Sequence, residues 1–232
     1  MWEANLDKRG RTTGCRKFDD LLGGGMPVAC LTDVFGAAGT GKTQFAFQNI
    51  VTACAQSTKT KPSSVFVDCT GAFRPERIAE IANANNLESE NILGRIYTIY
   101  VRSVDEQTFA VKRIEKEEVF SECKLVVIDD ATSNFILEFG DDEIPARQAA
   151  LSLHVRNLGV LANLNHVSVL ATNSARSRGD MGEKEATGEI FSQFALYRMH
   201  FERRGSMRFA SLLQPVSKFG AISFEITESG IR

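Results

Sequence analysis

The chain has 232 residues, of which 24% are charged and 43% hydrophobic, with a formal net charge of −2. That length suits one sizeable core, and five prolines with ordinary apolar content exclude collagen-like, mucin-like and disordered classes. The near-neutral charge supplies no global attraction for nucleic acid, so any such role must come from local patches.

The N-terminal MWEANLDKRGR is polar and lacks the apolar core of a secretory signal. No stretch approaches the roughly 18–20 apolar residues of a membrane helix. Cys15, Cys30, Cys54, Cys69 and Cys123 are an odd, widely spaced set without a CxxC pair, which points to reduced thiols and a cytoplasmic protein. His154, His166 and His200 are equally scattered, so no metal-ligand pattern emerges.

Short apolar runs alternate with longer amphipathic ones. Residues 28–35 (VACLTDVF), 65–68 (VFVD), 95–101 (RIYTIYV), 124–129 (KLVVID) and 166–172 (HVSVLAT) read as strands covered on both faces. Phe47, Ile50, Val51 and Cys54 share one face of a helix after Thr43. Leu151, Val155, Leu158 and Leu161 do so in a helix that opens at Pro145. Repeated β-α units predict an α/β fold with a mostly parallel sheet. The end differs: ALYRMHFER, SMRFASLLQ and AISFEIT are consecutive strand-like segments and predict an antiparallel extension at one edge. No linker or repeat divides the chain, so a single domain over 1–232 is expected, with a flexible segment over 1–12.

Residues 36–43, GAAGTGKT, satisfy GxxxxGK[ST] between a predicted strand and a predicted helix. Such glycines let backbone N–H groups curl around phosphate oxygens, and the helix N-terminus adds its positive dipole end. Gly36, Gly39, Thr40, Gly41, Lys42, Thr43 and Gln44 are therefore the candidate nucleotide contacts. Lys42 reaches the β- and γ-phosphates and the Thr43 hydroxyl ligates Mg²⁺. Asp129 ends an apolar strand at the edge where ligands of open sheets bind, which makes it the second Mg²⁺ contact, through water.

TGCRKFDDLLGGGMP (13–27 from Thr13), GAAGTGKTQFAFQ (36–48), VDCTGAFRPERI (67–78), LVVIDD (125–130), PARQ (145–148), ATN (171–173) and FEITESGI (224–231) together resemble the ATPase core of RecA/RadA-type recombinases. The resemblance spans nearly the whole chain in order and implies a RecA-type P-loop core binding ATP and Mg²⁺. A core without the N-terminal helical domain and linker of the strand-exchange enzymes is similar to the archaeal RadB-type paralogs. By position, Arg77 in FRPER is implied to stack on adenine.

Two departures concern catalysis. The resemblance places a water-activating glutamate where this chain has Thr70, and a hydroxyl is too weak a base for that work. Asp68 and Asp130 are the nearby carboxylates left as candidate bases. Ser174 stands where the family has a γ-phosphate-sensing glutamine.

The two loops that the resemblance places along a DNA channel are 131–145 and 174–189. The first carries Glu138, Asp141, Asp142 and Glu143 with no lysine or arginine, and repels phosphates. The second offers Arg176 and Arg178 among acids, which reads equally as a solvated loop or a DNA finger. Arg198, His200, Arg203, Arg204 and Arg208 lie on and between the two strands of the late hairpin. Alternation puts Arg198 and His200 on one face, either as a track for single-stranded DNA or as a solvated outer strand.

The expected function is an ATP-binding recombinase paralog that assists homologous recombination and DNA repair. It would bind single-stranded DNA modestly, or bind the main recombinase or another repair protein, and hydrolyse ATP weakly or not at all. The alternatives are a DNA-stimulated ATPase using Asp68 or Asp130, and a KaiC-like nucleotide-gated scaffold without DNA.

Overall fold

A computed structural model describes residues 10–57, 62–177, 183–185, 190–216 and 220–232. Eight strands form one continuous path, in the order β3 (Ile96–Tyr100), β2 (Ser64–Asp68), β4 (Leu125–Asp129), β5 (Ser168–Ser177), β1 (Leu31–Gly36), β7 (Tyr197–Arg204), β8 (Met207–Gln214) and β9 (Ala221–Phe224). Neighbours from β3 through β7 are parallel, and only β8 and β9 run antiparallel. The expected α/β fold is therefore present, with one adjustment. The first of the three C-terminal segments, β7, is an inner parallel strand beside β1 rather than the start of the antiparallel edge.

Two layers of helices cover this sheet, as its unbroken apolar strands require. On one face α1 (Arg16–Leu21), α2 (Lys42–Ala55) and α3 (Pro75–Ala84) close over an aromatic core. Phe18 lies 4.8 Å from Phe45 and 5.3 Å from Phe224, and Phe201 lies 5.2 Å from Phe224, ring centre to ring centre. Aromatic pairs at such spacings add to the area they bury. On the other face α5 (Val104–Lys116) and α7 (Ile144–Leu164) bury Val111, Ile114, Leu151, Val155, Leu158 and Leu161. The apolar repeat after Pro145 thus marks the helix face that it predicts.

Three local features depart from the sequence reading. Residues 131–145 are not an open loop: α6 (Ser133–Glu138) runs through them and buries Phe135 and Asn134. The Glu138 carboxylate there caps the start of α5 by accepting the Val104 amide at 2.7 Å. Strand β5 continues beyond residue 172 and pairs antiparallel with β6 (Glu183–Glu185), so the second loop begins as a ribbon. Finally, the end of the expected flexible segment is held. Arg11 and Met26 exchange backbone hydrogen bonds of 2.9 and 2.6 Å, and the Arg11 guanidinium donates to the Lys124 carbonyl. Residues 1–9 lie outside the described residues. Among the described residues no helix is long and apolar enough to cross a membrane.

Candidate functional site

The strand β1 ends at Gly36 and the chain turns through residues 37–41 into α2. Gly41 caps that helix with φ 106°, a left-handed conformation that a side chain resists, and a Cβ there would stand 3.1 Å from Ile226 Cδ1. A Cβ on Gly36 would collide with the Phe201 carbonyl. These glycines are required by close approach to β7 and to the C-terminal segment. No side chain caps the first turn of α2, so its amides remain available to an anion.

Lys42 folds over the loop, its Nζ donating to the carbonyls of Gly36 at 2.8 Å and Ala37 at 2.9 Å. Thr40 Oγ1 donates to the same Ala37 carbonyl at 2.9 Å and braces the turn. Thr43 Oγ1 lies 3.1 Å from both carboxylate oxygens of Asp129. Asp129 also accepts from Thr172 Oγ1 at 2.7 Å, while that hydroxyl in turn accepts the Asp130 amide at 2.8 Å. Burial pushes the Asp129 carboxyl above its ordinary range, with the hydroxyls of Thr172 and Thr43 pulling it back. A buried carboxylate beside a threonine hydroxyl, at the rim of a lysine-bearing loop, is a donor set suited to a divalent cation and a polyphosphate. Thr172 is the member that the sequence reading missed. Its signal is its place beside Asn173 at the end of an apolar strand next to β4.

A pocket of about 500 Å³ opens from this loop, lined by Gly39, Gly41, Lys42, Thr43, Gln44, Arg77, Glu80, Arg208 and Ile226. Arg77 is fixed there by four partners. Its Nε donates to Gln44 Oε1 at 2.8 Å, and its terminal nitrogens reach the Glu80 carboxylate and the carbonyls of Thr227 at 2.5 Å and Glu228 at 3.2 Å. Arg77 is thereby held in one place at the pocket wall. A separate hollow of about 170 Å³ lies behind α2, walled by Val51, Ala55, Ile81 and Leu87 among others, and carries no comparable cluster of charged groups.

The two candidate bases differ sharply. Asp68 is buried, and both of its oxygens are taken by backbone amides: Thr70 at 3.2 Å, Ala72 at 2.9 Å and Phe73 at 3.0 Å. It shapes the turn that delivers FRPER to α3, and its oxygens are engaged by the amides of that turn. Asp130 has φ 57°, a strained conformation for a non-glycine residue. Its Oδ2 accepts from Ser174 at 3.2 Å, and its buried Oδ1 has no hydrogen-bond partner among the described residues. Burial raises the Asp130 carboxyl above its usual range, against the nearby Lys42 charge. Ser174 therefore contacts the second acid of the LVVIDD strand end.

The arginines proposed for DNA fall into different settings. Arg198 is a correction. Its side chain is only 10% exposed and its Nε pairs at 3.1 Å with Asp33, which is fully buried. Asp33 also accepts from Asn173 at 2.5 Å, so the network ties three adjacent strands together. The guanidinium also stands 5.1 Å over the Phe35 ring of β1, so Arg198 turns inward onto its neighbour strand, while His200 on the same face is half-buried. Arg204 is exposed, pairs with Glu202 at 2.7 Å and stands 5.1 Å over the Phe209 ring. Arg203 is exposed and donates to the Gly205 carbonyl at 2.9 Å. Arg178 and the side chain of Arg176 lie outside the described residues.

A family model described as Rad51 matches residues 10–232. The DNA repair and recombination protein RadA of Aeropyrum pernix is 34% identical over 230 residues, covering 95% of this chain and 72% of that protein. The protein of the same name from Ignicoccus hospitalis is 31% identical over 241 residues, covering 98% and 74%. Read with the loop, the acid-tipped β4 and the C-terminal strands in their order, these matches establish that the chain belongs to the Rad51 family.

Proposed function

We propose that this chain is an ATP- and Mg²⁺-binding, RadB-like recombinase paralog that assists homologous recombination and DNA repair, and that nucleotide acts on it more as a conformational ligand than as fuel. Gly36, Gly39, Thr40, Gly41, Lys42, Thr43 and Gln44 would hold the phosphates, with Arg77 against the adenine. Thr43 and Asp129 would hold Mg²⁺, which when bound neutralises phosphate charge. The observation that carries the reading is the pairing of a complete phosphate loop with Thr70 at the position where the family's base is expected. Thr70 has only a hydroxyl, and the adjacent Asp68 is occupied by three amides. Single-stranded DNA and the main recombinase, or another repair protein, are the proposed partners.

A second reading, slow DNA-stimulated hydrolysis, is favoured by Asp130, a buried carboxylate near Lys42 that no backbone amide among the described residues engages. One experiment separates the two. ATP binding and steady-state turnover are measured with and without single-stranded DNA, with Lys42→Ala as the blank. Tight ATP binding with turnover no greater than the blank supports the first. Turnover that rises with DNA and disappears in Asp130→Asn supports the second. An inability of the wild-type chain to bind ATP overturns both.

A further inference from the structure

Arg203 and Arg208 face each other across the β7–β8 hairpin, in direct register on one face. Like charges in that arrangement oppose strand pairing unless something of opposite sign lies between or beside them. The neighbouring arginines are neutralised within the chain: Arg198 by Asp33 and Arg204 by Glu202. For Arg203 and Arg208, the partners among the described residues are carbonyls only, of Gly205 at 2.9 Å and of Gly39 at 3.3 Å.

Their placement says which anion is expected. Arg208 Nε binds the carbonyl of Gly39, a residue inside the phosphate loop, and its side chain lines the same pocket as Lys42, Thr43 and Arg77. Arg203 Nη1 comes within 3.8 Å of where a Gly39 Cβ would stand, so both guanidinium groups converge on one loop residue. Arg208 spends its Nε on the loop, which leaves its two terminal nitrogens as donors, and five N–H groups per guanidinium suit phosphate oxygens. The Gly39 position needs φ 76° and lacks a side chain to separate the arginines from the loop.

We propose that Arg203 and Arg208 form a phosphate clamp, supplied by the chain's own C-terminal hairpin, that grips the nucleotide's polyphosphate from outside the loop. The clamp rests on the nucleotide reading above and deepens it. It also reassigns Arg203, placed by the sequence reading among the DNA contacts. Because the hairpin continues from the strand beside β1, the clamp makes the position of β7–β8 depend on whether phosphate is bound.

The test uses the full chain and four variants: Arg203→Ala, Arg208→Ala, the double variant and Arg208→Lys. Affinities for Mg²⁺–ATP, for inorganic tripolyphosphate and for uncharged adenosine are measured by calorimetry, alongside thermal midpoints and binding of a fluorescent oligonucleotide. The clamp predicts that the double variant loses about tenfold in ATP and tripolyphosphate affinity, as the loss of charge-assisted hydrogen bonds implies. Adenosine binding stays unchanged, the ligand-free thermal midpoint holds or rises as the facing like charges are removed, and Arg208→Lys recovers part of the loss in affinity. Unchanged ATP affinity in the double variant, while Lys42→Ala weakens ATP binding, overturns the clamp and leaves the nucleotide reading intact. Failure of the wild-type chain to bind ATP removes both. Loss of oligonucleotide binding with ATP affinity preserved overturns the clamp in favour of a DNA surface.

Discussion

The phosphate loop and the β7–β8 hairpin lie side by side at one end of the sheet, yet they answer differently to a reading of the sequence. In the loop, every side chain named from the motif lies at the loop or the pocket that opens from it: Lys42 over the turn, Thr43 against Asp129, Gln44 against Arg77. In the hairpin, three arginines within seven residues have three separate settings. Arg198 is an internal strut, Arg204 a surface pair and Arg203 a neighbour of Gly39. The difference is one of range. The loop's geometry follows from contiguous residues and their φ requirements, whereas the fate of a strand arginine depends on which strands flank it.

The largest expected effect tests the strut. Arg198→Ala removes the guanidinium that pairs with the fully buried Asp33 carboxylate, and removal of one partner from a buried ion pair costs about 3–5 kcal/mol. Chemical denaturation should show that loss. Oligonucleotide affinity at low salt, measured where the variant is folded, should not change. A variant of unaltered stability that binds DNA poorly would return Arg198 to the DNA face and dissolve the contrast.

A buried group behind the site comes next. His154 is fully buried against Gln107, whose Nε2 lies 3.1 Å from its Nε2, and its Nδ1 has no partner among the described residues. Burial lowers this imidazole from 6.5 to about 4. Between those values the unfolded chain binds a proton that the folded chain refuses, so stability falls as pH drops through that window. The loss reaches about 3 kcal/mol near pH 4. Asp129 and Asp130, both raised by burial, act in the opposite sense, since acidification relieves their buried charge. Comparing the pH slope of the wild type with that of His154→Gln cancels them, and the variant's slope should be shallower between pH 6.5 and 4. Parallel slopes would mean that the imidazole is hydrated and titrates normally.

These cases show what was legible and why. The parallel sheet announced itself through unbroken apolar strands, and the metal-suited acid through its place at the end of β4. Arg77 was legible only through the resemblance, since nothing in its spacing brings Thr227 and Glu228 to it. Helix α6 was hidden inside an acidic stretch because its buried Phe135 and Asn134 make too short a pattern to register at a helical period. The neutralisation of Arg198 needed the knowledge that β1 lies against β7. Gly39 and Arg208 are 169 residues apart, so their contact is a product of register across the sheet.

Lys42→Ala then tests the legible region itself. Its ammonium makes two hydrogen bonds to the loop and lines the pocket proposed for the phosphates. Loss of charge-assisted contacts of that kind costs about 2 kcal/mol, or roughly 30-fold in ATP affinity. The thermal midpoint, read alongside, separates a loss of the loop's fold from the loss of a phosphate contact. Retained affinity would show that the loop is a structural turn after all, and the two regions would then differ in nothing but sequence pattern.

The smallest expected effect belongs to Arg204, and it separates neighbours that look alike in sequence. Its pair with Glu202 is exposed, and exposed pairs are screened by solvent and salt. Arg204→Ala should therefore leave the unfolding midpoint and ATP affinity where they are. The arginine at the adjacent position is different, because Arg203 meets Arg208 across the hairpin and both approach Gly39. If Arg203→Ala and Arg204→Ala weaken ATP equally, long-range charge rather than contact governs the site, and raising salt should erase both effects together. If only Arg203→Ala weakens ATP, and the effect survives moderate salt, register in the hairpin has divided two adjacent arginines between ligand and solvent.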